Sequence, residues 1–284
     1  MGDSNDIRVA VIAHVFYPEI WPELLLSVRN IVSAAAGSDV FVTLAGPACN
    51  HETRIRDELP AASVFCVENI GYDVAPFFSV LDRLDLATYD IVVKLHTKRD
   101  TESCWLNFRK FMGSGWRKEL LSFCSSPKAA ARTLAAFGKC KMLGMVAGMK
   151  LYDPCGVGAG CDFAGADGIL RSLGMTARHC AVYGTMFAMR ASLLKPLQGH
   201  FSHRQFIVPG SPDPHHAYGL SGDLEMCFAM VVDAQGFYVG SGRLPDVVAR
   251  AANWLKMIVF CCLRFLSDHI RGMTQRVLPC MQHG

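Results

Sequence analysis

The sequence predicts an α/β fold: a mostly parallel central sheet with flanking helices. Three observations carry that expectation. Over the first hundred residues, short β-branched apolar runs alternate with stretches of helical apolar spacing, a βαβαβαβ order that argues parallel strands joined by helical crossovers. The strand candidates are apolar almost throughout, as strands covered on both faces must be. The chain has 284 residues, enough for one large domain, or one with appendages.

Taken in order, "RVAVIA" (Arg8–Ala13) reads as a buried strand opening the fold. Glu19–Ala35 spaces Leu24, Leu25, Val28 and Ile31 as one helix face, with Pro22 tolerable in the first turn. "DVFVTL" (Asp39–Leu44) is a second strand, broken by "GPACN" before a short polar helix over His51–Leu59. Ser63–Val67 is a third strand, Val74–Leu84 a helix and Tyr89–Leu95 a fourth strand. Trp105–Phe123 reads as helical with a break at Gly113–Gly115. An Ala-rich helix over Pro127–Gly138 starts on Ser126 and Pro127. "KMLGMVAG" is a strand, Asp153–Gly168 a Gly-rich loop, and "YGTMFAMR" a strand followed by a helix from Ala191. His200–Gly219 is an irregular loop, Asp223–Ala234 a helix, and "GFYVG" the last strand.

Residues 1–245 form the domain so described, and 246–284 a separate C-terminal tail with an apolar helix. Its apolar core, Met257–Leu263 between Lys256 and Arg264, is shorter than the ~20 residues of a spanning helix. A buried or dimer-forming helix and an interfacial membrane helix both fit, which leaves homodimerisation and peripheral membrane contact open. A formal charge of +3 gives no nucleic-acid-binding tail, so any anion site is local. The N-terminus lacks the basic and apolar regions of a signal peptide, and twelve cysteines without a Cys-x-x-Cys pair read as buried thiols of a reducing compartment. Cys155 and Cys161 flank a Gly-rich loop without ordered histidine partners, a poor zinc site.

In parallel sheets, ligands sit outside the carboxyl ends of the strands. Three strand ends carry polar residues: His14–Tyr17, Glu68–Asp73 and His96–Asp100. In "NIGYD", Gly71 permits a tight strand-to-helix turn, and Asp73 is either an ordinary helix cap or, with Asn69, a ligand for vicinal hydroxyls. In "HTKRD", alternation puts His96 and Lys98 on one side, two donors suited to a diphosphate or simply a solvated charge cluster.

"AVIAHVFYPE", "ENIGYDVAPFF", "YDIVVKLHTKRD", "GWRKELL" and "GTMFAMRASLLKPL" together resemble the rhamnan synthesis protein F family of polysaccharide glycosyltransferases, over roughly residues 8–240. The resemblance implies a glycosyltransferase-A-like sheet and transfer of a sugar, often rhamnose, from a nucleotide-diphosphate donor. The acceptor would be a glycan or lipid-linked glycan of a growing cell-surface polysaccharide or O-antigen, with the protein in the cytoplasm and contact with the inner face of the plasma membrane left open. Many glycosyltransferases of that class hold a divalent metal on Asp-x-Asp after the fourth strand; here His96-Thr97-Lys98 stands there, so no metal is expected to be required. His14 and Tyr17 would lie near the nucleotide base or ribose, and Arg117 would be a second diphosphate contact beside a core Trp116. Gly184, Thr185 and Arg190 would line the sugar and acceptor side. The catalytic base falls on Asp223 or Glu225, with Asp73 as the fallback. The family tends to show "DGT" and a later "ER" where this chain reads "SGDLEMCFAM", which also suits a catalytically inactive glycan- or nucleotide-binding module. A dinucleotide-dependent oxidoreductase is disfavoured because "AHVFYPEIW" replaces the Gly-x-Gly-x-x-Gly turn after the first strand.

Overall fold

The structure is a computed structural model that describes residues 6–106, 109–154, 156, 162–210 and 219–241, together with positions 251, 255, 258, 259 and 262. Its first half is β1 (Arg8–Val15), α1 (Trp21–Ala34), β2 (Gly37–Leu44), α2 (Glu52–Glu58), β3 (Ser63–Cys66), α3 (Val74–Leu81) and β4 (Ile91–His96). A hairpin follows, β5 (Thr101–Leu106) and β6 (Arg109–Gly113), then α4 (Gly115–Leu120), α5 (Pro127–Lys139) and β7 (Leu143–Ala147). The remainder is β8 (Tyr152–Asp153), α6 (Ala164–Ser172), β9 (Ala181–Val182), β10 (Phe187–Arg190), α7 (Ala191–Leu194), α8 (Gly219–Ala234) and β11 (Tyr238–Gly240).

The main sheet has the order β11-β7-β10-β4-β1-β2-β3. β1 pairs in parallel with both β2 and β4, and β10 lies antiparallel between β4 and β7. The expected mostly parallel sheet with flanking helices is therefore present, with one reversed strand. The chain lays β2 and β3 on one side of β1 and then returns to place β4 on the other. The strand order thus reverses at the β1–β4 seam, where a crevice opens at the carboxyl ends.

β4 is buried along its whole length, and α3 buries seven of its eight residues, so α3 is a core helix rather than a surface one. Phe77 of α3 meets Phe187 of β10 and Phe228 of α8 in edge-on contacts, with centroids 6.2 and 5.7 Å apart. Each such ring contributes about 1.5–3 kcal/mol of burial. The cluster fixes α3 against β10 and the middle of α8, which frames the site. α5 begins as its sequence predicts: Ser126 accepts from the Ala129 N–H, and Pro127 opens the first turn.

Three expectations are corrected. The stretch read as a helix from Trp105 is a hairpin as far as Gly113, and helix begins only at Gly115. Phe111 is buried between exposed Lys110 and Met112, a period of two that a short apolar stretch does not separate from a helical one. The Gly-rich loop ends early, because Asp162 accepts from the Ala164 N–H and starts α6. Only Phe187–Arg190 of "YGTMFAMR" joins the sheet, since Gly184 and Thr185 have φ of 89° and 53°. The apolar tail lies outside the described residues except at positions 251, 255, 258, 259 and 262, which are helical. Among the described residues no helix is long and apolar enough to cross a membrane.

Candidate active site

The β1–β4 register sets His14 directly beside His96 at the crevice. Thr97 closes the seam: its N–H donates to the His14 carbonyl at 2.9 Å, and its Oγ1 accepts from the Phe16 and Tyr17 N–H groups at 3.0 and 3.1 Å. Above this seam lies a cleft of about 400 Å³ whose walls include His14, Tyr17, Asn69, Asp73, His96 and Lys98. That volume suits a small-molecule ligand. A recess of about 90 Å³ adjoins it, sharing Asp73, His96, Lys98 and Trp116 and adding Gly184, Thr185, Ser221 and Glu225.

Between cleft and recess lies a buried polar network that the sequence reading did not anticipate. Lys94, in the middle of β4 and 1% exposed, donates to the Asp73 carboxylate and, at 3.0 Å, to the Thr185 hydroxyl. Thr185 in turn donates to Asp73. Burial alone would raise the Asp73 pKa; the charges of His96 and Lys94 and the hydrogen bonds from Lys94 and Thr185 outweigh it and hold the carboxylate well below its usual range. Burial lowers Lys94, against the pull of Asp73. Asp73 occupies the cap position of α3 but makes no side-chain cap there, because its carboxylate is turned to Lys94. The ordinary-cap reading is thereby corrected, and the ion pair also makes Asp73 a poor proton acceptor.

Two strained turns converge on this carboxylate. Gly71 and Tyr72 have φ of 63° and 54°, and Gly184 and Thr185 have 89° and 53°. Tyr72 and Thr185 are the two non-glycine residues with positive φ among the described residues, and for a β-branched threonine that conformation is an outlier. One precedes Asp73 directly, and the other bonds it. Strain of this kind, of order 1–3 kcal/mol per residue, persists where surrounding structure over-determines it, commonly at functional sites.

His96 is buried between two carbonyl acceptors, with Nε2 2.8 Å from the Gly184 oxygen and Nδ1 3.1 Å from the Thr97 oxygen, of which a neutral ring can donate to one. Burial lowers its pKa, against Asp73. His14 is likewise buried, its Nδ1 3.0 Å from the Thr43 hydroxyl, and burial pushes its pKa down to about 3. Lys98 is only partly buried, and its Nζ lies 4.4 Å from the centre of the Trp116 ring. Of the two groups expected to clamp a diphosphate, Lys98 is thus the cation the cleft presents, while His96 braces the wall.

Glu225 faces the recess one helical turn after Ser221, whose hydroxyl donates to the Gly71 carbonyl at 3.0 Å. The Gly184 N–H donates to Glu225 Oε1 at 2.6 Å. Burial nevertheless raises the Glu225 pKa; the Gly184 bond and the two lysines oppose this, and Asp73 adds to it. Asp223, two positions earlier, points about 200° away around the helix. It packs on α6, where a Cβ added to Gly165 would stand 2.1 Å from its Oδ1, and it is not part of the cleft or recess wall.

Two expected ligand contacts are placed elsewhere. The Arg117 guanidinium is committed to Glu23 at 2.7 Å, to Asp100 and to the Lys98 carbonyl at 2.9 Å, so it braces the loop after β4 instead of facing a phosphate. Arg190 ends a strand antiparallel to β4 and pairs with Ile91, at the end of the sheet remote from His96. Its donors go to the carbonyls of Leu143, Phe137 and Cys140. Among the described residues no group of three or more His, Cys, Asp or Glu side chains could hold a metal ion; Cys155 and Cys161 lie outside them.

The family model of rhamnan synthesis protein F matches residues 2–218. Two curated relatives, both described as uncharacterized protein WxcX and coming from two strains of Xanthomonas campestris pv. campestris, are 26% identical over 144 residues. The alignment covers 48% of this chain but 18% of each relative, so the chain spans under a fifth of their length. With the family match running through the cleft, the strained turns and the β4 network, the chain belongs to the rhamnan synthesis protein F family, a family of polysaccharide synthesis.

Proposed function

We propose that this chain is a glycosyltransferase that moves a hexose, rhamnose or a close relative, from a nucleotide-diphosphate donor to a growing cell-surface polysaccharide, with inversion. The observation that carries this reading is a buried carboxyl of raised pKa, Glu225, in the same small recess as the Lys98 ammonium. In a single displacement Glu225 takes the acceptor hydroxyl proton while that oxygen bonds the anomeric carbon. The bond from that carbon to the diphosphate oxygen breaks, and the electron pair leaves with the diphosphate. Lys98 carries the developing negative charge. Phe16, Tyr17 and Asn69 line the wider cleft and offer ring faces and amide groups to the base and ribose. Donors of this class are cytoplasmic, so the reading places the reaction on that side of the membrane.

The test is release of nucleoside diphosphate from a panel of nucleotide-sugars with a glycan acceptor. Glu225→Gln should lower turnover about 100-fold or more while retaining nucleotide binding. A glycan- or nucleotide-binding module would release no diphosphate in either form, and an unchanged rate in the variant would remove Glu225 as the base.

A further inference from the structure

We propose that the β5–β6 hairpin is a bilayer anchor that seats the molecule on an anionic lipid surface. Cross-strand pairing sets Trp105 opposite Lys110, hence on one face of the ribbon, and Met112 shares that face by alternation. The opposite face carries Cys104 opposite Phe111, and Phe111 is buried in the core cluster with Cys104 packed against it. The ribbon is therefore held to the body by one face, and its outer face shows an indole 65% exposed and a thioether 61% exposed. Two large apolar side chains on one solvent face add to a single apolar patch, whereas singly scattered ones need no partner.

The chemistry of that partner follows from the charges. Lys110 lies on the Trp105 face and Arg109 on the other face of the ribbon; both are exposed and make no ion pair among the described residues, and Glu102 is the acidic residue of the two strands. Indole and thioether on the face of Lys110, with Arg109 exposed next to it on the other face, match a headgroup layer, where tryptophan partitions at the interface and long cationic side chains reach anionic lipid. The arrangement also has a geometric consequence. Thr101, the first residue of β5, lines the cleft, and Trp105 stands four residues further on, about 13 Å along the strand. A hairpin seated on the bilayer would hold the cleft within reach of a lipid-linked acceptor. The assignment is independent of the transfer reaction, because lipid binding is read without turnover.

Flotation of the full chain with phosphatidylcholine vesicles containing about a third phosphatidylglycerol tests it. The wild-type chain should co-float, and less so as salt is raised. Trp105→Ser with Met112→Ser, and separately Arg109→Glu with Lys110→Glu, should each lower the bound fraction at least tenfold without changing the melting temperature. Wild-type protein that does not float, or either variant binding within twofold of wild type, overturns the proposal. A Trp105 fluorescence response to a soluble polysaccharide but not to vesicles would likewise overturn it, making the ribbon a glycan platform.

Discussion

A lysine ammonium in the middle of a covered strand is costly unless its charge is matched, and at Lys94 the match is Asp73. Removing one partner strands the other. Lys94→Met should therefore destabilise the fold by about 3–5 kcal/mol, read by chemical denaturation, whereas Lys94→Met combined with Asp73→Asn should cost less than the sum of the single changes. The same burial governs the two strand-end histidines. Their folded pKa values lie below the unfolded 6.5, at about 3 for His14. Between those values the unfolded chain binds the proton and the folded chain does not, so stability falls as pH drops below 6.5. His14 should contribute a loss of about 1.6 kcal/mol between pH 6.5 and 5, and His96 adds to it in the same direction. Urea titrations at the two pH values should show this, and His14→Gln should remove its share of the slope. A pH-independent midpoint across that window would mean that His14 is protonated in the folded state.

At the scale of elements, the turn before β10 is set by backbone rather than side chain. Gly184 has φ 89°, and an added Cβ would stand 2.6 Å from Leu120 Cδ2. Gly184→Ala should cost about 2–4 kcal/mol and distort the recess, combining left-handed strain with overpacking. Gly236 has φ 80° but open space around it, so Gly236→Ala should cost only about 1 kcal/mol. Equal losses in denaturation would remove the packing part of the argument. Alternating runs gave β1 to β4 and the three polar strand ends, because period and turn chemistry are local properties of sequence. Lys94 shares one face with His96 and Lys98 by the period of two, but it stands inside an otherwise apolar run, which by itself reads as plain core. The position of Arg190 depends on β10 running antiparallel, and which of Asp223 and Glu225 meets the recess depends on how α8 is rotated. Both are set by tertiary packing that no local pattern encodes. The hairpin after β4 reads as a helix in the sequence because its apolar residues suit two periods at once.

For the whole molecule, the site belongs to no single element. β1 and β4 supply its floor, the turns before α3 and β10 its walls, and α8 its acidic side, so a ligand there joins parts of the chain more than a hundred residues apart. Binding to the folded form alone must then stabilise the entire domain by linkage: about 2.7 kcal/mol at a hundredfold excess over the dissociation constant. For a domain of this size that corresponds to a rise of about 5–10 °C in melting temperature. A nucleoside diphosphate should produce that shift, and the corresponding nucleoside, which lacks the charged groups, should produce little. Lys98→Ala should remove most of the shift while leaving the ligand-free melting temperature near wild type, because Lys98 is only partly buried and carries no part of the Asp73 network. If Lys98 and the wall around it meet the diphosphate charge, a chelator should leave the shift in place; a shift that vanishes with chelator and returns with Mn²⁺ or Mg²⁺ would assign that charge to an ion instead. A full shift in the Lys98 variant would place the diphosphate elsewhere in the cleft.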